Sequence, residues 1–322
     1  MPPHRIAIVG AGMAGAACAR TLADRGHAVT VLDKGRSVGG RLAQRRIGEA
    51  VFDHGGQYLT VHDSALRPFA EAWRRAGALA AWPGVAGGDG TQAEVGVPAM
   101  NAPVKLLLAG LDVTTSRRVA SLRRSLSEGT WTLRDESGGE AGPFDALILA
   151  IPAPQAADLL ATDPAGAAFR EAIGRVVIEP CWSALLALAE PFRAGFTGER
   201  LDDDPVLSWV ARNPSKPGRG AAEAWTLHAT SAWSRAHLER RPEEVAPLLA
   251  EAFARLGGTP LPATTHLSAH RWRYSLASTA LGEPCLYDPG LGLGLCGDWC
   301  IGGRVENAFL SGTALADRVA PC

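Results

Sequence analysis

Three glycines in the run Gly10-Ala-Gly12-Met-Ala-Gly15 can do what no side chain does: bring backbone N–H groups against a pyrophosphate. Gly10 allows a tight turn, Gly12 admits a phosphate to the backbone, and Gly15 lets the next helix lie close on the preceding strand. Ala14 belongs to the first turn of that helix, whose free N–H groups and positive dipole end attract anions. Such a run is weak evidence by itself. Asp33 strengthens it: about 20 residues on, it ends the next strand, where a carboxylate holds ribose hydroxyls and disfavours a 2′-phosphate. Lys34 follows directly.

A second constellation is Arg36-Ser-Val-Gly39-Gly40-Arg41. Here the planar fork of Arg41 can neutralise two phosphate charges at once. Farther on, His270-Arg-Trp-Arg-Tyr274 alternates, so a strand would put His270, Trp272 and Tyr274 on one face and the two arginines on the other. Trp272 and Tyr58 would suit a planar aromatic substrate as stacking walls, or Trp272 and Tyr274 would pack within the sheet. His228 reads either as a sheet histidine or as a base facing a pocket. Trp182, Trp209 and Trp225 read as core.

The elements that must hold these residues follow from the pattern. Residues 6–9 form a short apolar strand buried on both faces, 13–25 an Ala/Leu-rich helix stopped by Gly26, and 28–32 a second strand. An amphipathic helix is expected over 64–77, a loop or hairpin over the glycine-rich 84–96, and a helix over 102–111. A hairpin spans 118–135 with Glu128-Gly129 in its turn, and a buried strand 146–151 stops at Pro152 and Pro154. Strands at 181–189, 206–212, 222–229 and 268–275 alternate polar and apolar residues, with one helix after Ser231 and another opening at Pro242 and stopping at Gly257-Gly258. A strand at 291–296 and a helix at 305–319 close the chain.

Composition excludes several classes. The 322 residues carry a formal net charge of -1 and 47% hydrophobic content, so nothing marks a nucleic-acid binder, and a full core is available. Arg117, Arg118, Arg123 and Arg124 read as a solvated strand face. No apolar run approaches the ~18 residues of a membrane span, and no signal-peptide pattern is visible. The cysteines, Cys18, Cys181, Cys285, Cys296, Cys300 and Cys322, lack paired metal spacing; free thiols, no metal and a cytoplasmic location are the expectation.

Taken together, the glycine-rich start, Gly39-Gly40-Arg41, Phe52-Asp-His-Gly55-Gly56-Gln57-Tyr58, and the ending Cys296-Gly297-Asp298-Trp299 … Gly302-Gly303-Arg304-Val305-Glu306-Asn307 resemble the renalase-like branch of the flavin amine oxidases. The resemblance implies an α/β fold: a Rossmann-type FAD-binding domain with a second, mixed-sheet substrate domain, as in amine oxidases and p-hydroxybenzoate hydroxylase. Residues 1–62, 98–155 and 286–322 would form the first domain, and 63–97 with 156–285 the second. It further implies that Gly56 passes beside the flavin ring, that Gln57 and Tyr58 face the substrate, and that Val119 contacts adenine through its backbone. Gly297 and Asp298 would hold the ribityl chain, and the Val305 N–H would face the flavin N1–C2 edge. A helix end aimed there favours reduced flavin. Glu306 suits the helix dipole and has no catalytic role.

The implied activity is hydride transfer to non-covalently bound FAD, with O2 as acceptor and hydrogen peroxide as product. Cys285 lies where some relatives attach flavin through a thioether, an outcome not expected here. The lysine that many amine oxidases place near the flavin has no counterpart in Lys34, Lys105 or Lys216, the last sitting in a Pro/Gly-rich loop. That departure favours dihydronicotinamide isomers (2- and 6-dihydro-NAD(P)), which are strong hydride donors and need no base. An amine oxidase or a desaturase of an apolar small molecule is the alternative. A non-catalytic flavin redox sensor, using Cys296 and Cys300, is a third.

Overall fold

The computed structural model describes residues 4–192 and 195–321. The strand Arg5–Val9 lies between parallel neighbours: Ile6 is level with Val29 and Ala146, and Ile8 with Val31 and Ile148. Outward from these the sheet adds Asp112–Thr114 on one side and Leu293–Leu295 on the other, with antiparallel Leu286–Asp288 at the edge. A parallel sheet of apolar strands needs cover on both faces. Ile6 and Ile8 pack against the helices Met13–Asp24 and Val305–Val319. Ala7, Val9, Leu147 and Leu149 pack instead on Leu122, Trp131, Leu133 and Phe144 of a three-stranded antiparallel sheet. The two helices touch backbone to backbone, since a Cβ on Gly312 would lie 2.1 Å from the carbonyl oxygen of Ala14.

The second sheet is antiparallel throughout, in the order Gly198–Arg200, Leu207–Arg212, Ala224–Ala229, Val177–Leu188, Thr264–Thr279. Its strands alternate between two faces, with register shifts at Glu179/Cys181 and Leu207/Trp209 among others. Trp182, Leu186, Trp225 and Leu227 face the helix Pro242–Gly257 through Val245, Leu249 and Phe253. The opposite face turns Trp209, His228, Ser183 and His270 toward the first sheet, in one row across four strands. Trp182 and Trp225 are therefore core, as the sequence implies.

Most expected elements are present. The glycine-rich stretch is a hairpin, Leu79–Ala86 with Gln92–Gly96. The 64–77 helix is shorter, Arg67–Arg75, and the 102–111 helix ends at Leu107. Two departures matter. Pro152 and Pro154 do not only stop a strand; they start the helix Ala153–Leu160, because proline lacks only an N–H that a first turn leaves free. A hairpin, Gln44–Ile47 with Ala50–Asp53, precedes the His54-Gly55-Gly56 turn, and its short polar first strand carries no alternating apolar signal.

Candidate active site

A cleft of about 1280 Å³ separates the two sheets and runs from Asp33 to Trp209. At one end the glycine run behaves as its spacing demands. Gly10 has φ +110°, and a Cβ there would sit 2.5 Å from the Ala150 carbonyl oxygen; one on Gly15 would sit 2.0 Å from that of Gly10. Gly12 differs: a Cβ there would meet nothing within 4 Å. Its missing side chain leaves open space on the cleft wall rather than relieving a clash, which fits a bound phosphate. Ala14, Lys34, Gly40 and Val119 line the same wall.

Asp33 also lines it, but its carboxylate is engaged: Oδ2 accepts from the Ala11 N–H at 2.6 Å and Oδ1 from the Gly35 N–H at 2.6 Å. It thus braces the glycine turn while facing the cleft. Arg117 and Arg118 correct the expectation of a purely solvated face, since both line the cleft here. They are paired with Asp135 at 2.7 Å and Glu136 at 3.4 Å. Burial, with Arg118 nearby, lowers the Lys34 ammonium below its ordinary value.

Arg41 and Asp298 come together in the middle of the cleft. Arg41 Nη1 donates to Asp298 Oδ2 at 2.9 Å and to the Ser275 carbonyl at 2.7 Å, and Nη2 donates to Asp298 Oδ1. Gly297 and Val305 line the wall beside them, so the helix Val305–Val319 points its N-terminus into the cleft. Glu306 is not simply a dipole partner. Its buried carboxylate accepts from the His62 and Asp63 N–H groups at 2.7 and 2.8 Å, anchoring the segment after Tyr58.

The substrate end is built on the 53–58 turn. Gly56 donates its N–H to the Arg41 carbonyl at 2.8 Å, and a Cβ on Gly55 would lie 2.0 Å from that same oxygen. Trp272 Nε1 donates to the His54 carbonyl at 2.8 Å while its ring stacks on His54 at 5.1 Å, so Trp272 is both a wall and a brace. His270 packs against both rings, at 5.0 and 4.4 Å. Arg271 and Arg273 leave by the other face, to Glu239. Tyr58 lies 5.4 Å from Trp209, and both line the cleft. That corrects the assignment of Trp209 to the core: its alternation places it beside His228, and its Nε1 is buried without a partner.

Burial holds the histidines neutral. His54 is pushed down to about 3 by desolvation and then by His270 and Arg45; His270 falls to about 4 for the same reasons of burial and Arg45. His228 falls to about 4 through burial, against a hydrogen bond with the His54 backbone that raises it. At neutral pH the roof thus presents uncharged imidazoles and aromatic faces.

Lys216 overturns its reading as an unplaced loop lysine. It is fully buried, with Nζ 3.1 Å from Asp53 Oδ2 and 2.9 Å from Gln57 Oε1. Arg219 also reaches Asp53, Nη2 to Oδ2 at 2.6 Å. The available signal was slight: a lysine set between Pro214 and Pro217, which restrict the backbone on either side of it. What hid it was the distance in sequence to Asp53. Gln57 is held by its own turn, Nε2 donating to the Asp53 carbonyl at 2.6 Å and the Gly55 carbonyl at 2.8 Å. Lys105, in contrast, lies on an exposed helix face, and Cys285 is buried away from the cleft lining.

An open phosphate-facing backbone, a cationic fork, a close glycine turn and a helix N-terminus in one continuous cleft fit a flavin dinucleotide. The comparisons agree. The pattern of the NAD(P)-binding Rossmann-like domain matches residues 8–73, and that of the flavin containing amine oxidoreductases matches residues 65–320. A 4,4′-diapophytoene desaturase of Staphylococcus haemolyticus (strain JCSC1435) is 41% identical over 70 residues, which is 22% of this chain and 14% of that protein. A Staphylococcus aureus (strain Newman) desaturase of the same description is 39% identical over 59 residues, 18% of this chain and 12% of that one. The chain thus matches only a small part of these curated relatives. Among solved structures, an assigned protoporphyrinogen oxidase from Exiguobacterium sp. 255-15 superposes with TM-score 0.75 at 13% identity, covering 99% of both chains. A CLA-producing fatty acid isomerase from P. acnes gives 0.66 at 13% identity, covering 98% of both. At that identity the likeness is one of fold. The chain binds FAD and belongs to the family of flavin containing amine oxidoreductases.

Proposed function

We propose that the protein is a renalase-like oxidase that takes hydride from dihydronicotinamide isomers, 2- and 6-dihydro-NAD(P), and passes the electrons to O2. Bound FAD supplies the hydride acceptor and the reaction with oxygen. The chain supplies orientation, exclusion of water and a fixed field. The division into 1–62, 98–155 and 286–322 for cofactor, and 63–97 with 156–285 for substrate, is part of the same proposal. So are non-covalent FAD and the contacts assigned above to Gly10, Gly12, Arg41, Gly56, Asp298 and Val305.

The observation that carries the reading is the roof of the substrate end. Tyr58, Trp209 and Trp272 offer flat walls, and His54, His228 and His270 offer neutral hydrogen-bonding groups. A planar, uncharged ring fits such a lining. An ammonium substrate would need an acid, yet the carboxylates lining the cleft are Asp33, Glu136 and Asp298 of the dinucleotide-binding half and Asp158 of the helix Ala153–Leu160, which packs against the parallel sheet. Removing a cation from water without a partner is costly. A polar, histidine-rich roof also suits a desaturase of an apolar chain less well. The five described cysteines are free thiols, which fits a reducing compartment and supports a cytoplasmic location. No helix among the described residues is long and apolar enough to cross a membrane.

Anaerobic stopped-flow absorbance tests the proposal. Dihydronicotinamide isomers should bleach the flavin band within the first turnover, and readmitted air should yield peroxide. Bleaching by simple amines alone would overturn it.

A further inference from the structure

Asp53, Lys216 and Arg219 are sealed from solvent, with side chains 0%, 0% and 1% exposed. Two cations against one carboxylate leave a net positive charge directly behind the 53–58 turn. The cluster is not an economical stabilising device: Asp53 Oδ1 is buried without a partner, and a buried ion pair is generally no better for stability than well-packed apolar residues. Its placement points to a different use. Lys216 donates to Gln57 Oε1, while the NH2 of Gln57 donates to the carbonyls of Asp53 and Gly55 and stands 3.5 Å from His228 Nε2. With an ammonium on its oxygen and two carbonyls on its nitrogen, the amide has one orientation. Gln57 therefore stands between Lys216 and the cleft, and an amide side chain does not pass a proton.

We propose that Lys216 is a positioning residue: it fixes the Gln57 amide at the substrate end and holds one positive charge behind the turn that borders the flavin, favouring the reduced cofactor. Among the described residues, the groups that face Lys216 come from four segments. Asp53 and Gln57 come from the turn, Arg219 from its own loop, His228 from the neighbouring strand, and the Trp82 ring covers it at 4.6 Å. Burial pushes Lys216 down to about 8; Asp53 opposes that fall and Arg219 adds to it. Its charge also helps keep His228 unprotonated. Raising the pH through that value removes the charge without removing a side chain.

The midpoint potential of the FAD-loaded protein, measured against pH from 6 to 9.5, tests this without any substrate. Wild type should show a break in slope near pH 8. Lys216→Met should lack the break and have, at pH 7, a lower potential than wild type. Lys216→Arg should keep the wild-type potential at pH 7 with no break, because arginine stays charged. No break in wild type, or a break that survives in Lys216→Met, overturns the proposal. If the Met variant does not hold FAD, wild type and the Arg variant decide. With a hydride donor in hand, the Met variant should reduce about tenfold more slowly at unchanged KM, and Arg should restore most of the rate. The potentials stand whether or not dihydronicotinamides are the donors, so failure here and failure of the proposed substrate are separate outcomes.

Discussion

Arg41 and Asp298 lie 257 positions apart in the chain and meet guanidinium to carboxylate in the cleft, with the same guanidinium also holding the Ser275 carbonyl of the roof strand. One side chain thus joins the segment after the second strand, the entry to the last helices and the substrate sheet. Two residues assigned separately to phosphate and ribityl contacts are also a structural pair.

Arg41→Met should therefore weaken both fold and cofactor binding. It leaves a carboxylate that is only 8% exposed without its cation. Breaking a fully buried pair costs about 3–5 kcal/mol, and the partial exposure of Arg41 brings the expectation nearer ~2 kcal/mol. Urea unfolding should show the lower midpoint, and gel filtration should release flavin. Full flavin retention at wild-type stability would contradict the assignment.

Gly12→Ala and Gly15→Ala should separate binding from folding. At Gly12 a methyl group meets no protein atom, whereas at Gly15 it comes within 2.0 Å of the Gly10 carbonyl. The first variant should fold with unchanged circular dichroism yet lose FAD affinity by an order of magnitude or more, about 1.4 kcal/mol per factor of ten. The second should express poorly or unfold at lower temperature. Equal flavin affinity in Gly12→Ala would mean the open space is not where the phosphate sits.

Acid should destabilise the protein well above the range of ordinary carboxylate titration. In the unfolded chain histidines take up protons near pH 6.5, whereas His54, His228 and His270 do so only at about 3 to 4 when folded. Between those values the unfolded state binds more protons, so stability rises with pH and is lost as pH falls below about 6.5. Each imidazole contributes a slope of up to about 1.4 kcal/mol per pH unit. Denaturant titrations at pH 4.5, 5.5, 6.5 and 7.5 would reveal it. Constant stability over that interval would show that the roof histidines are not held neutral.

Trp209→Leu should act on the substrate and spare the cofactor. The indole faces Tyr58 at the outer end of the cleft, far from the glycine run, and its Nε1 has no protein partner to lose. FAD stoichiometry should be unchanged and KM for a planar donor raised about tenfold, the size of a lost aromatic contact of ~1.5 kcal/mol. A change in flavin content with unchanged KM would return Trp209 to the core.

The dinucleotide half was readable because its signals are local. Gly10, Gly12, Gly15 and Asp33 lie within one βαβ unit, and turn chemistry dictates glycine wherever a Cβ would strike a carbonyl. The alternation at His270 and Trp272 was equally local, and the two rings do share a face. What local pattern cannot carry is a pairing between remote segments. Lys216 and Asp53 meet only because the loop after Leu207–Arg212 folds under the 53–58 turn. Trp209 was misassigned because a half-buried tryptophan on a two-faced sheet reads the same from either side. The helix Ala153–Leu160 was masked by prolines that serve as its start.

The sheet is assembled out of order: Arg5–Val9 takes its neighbours from residues 28–32 and 146–149, and Leu293–Leu295 extends it beyond residues 146–149. The helix Met13–Asp24 is then sealed by Gly312 of the last helix. On the ribosome, the first strand and its glycine turn therefore emerge long before the segments that close around them. The cleft is complete only once Val305–Val319 has joined it, so any fragment lacking that helix should fail to retain flavin, however intact its glycine motif.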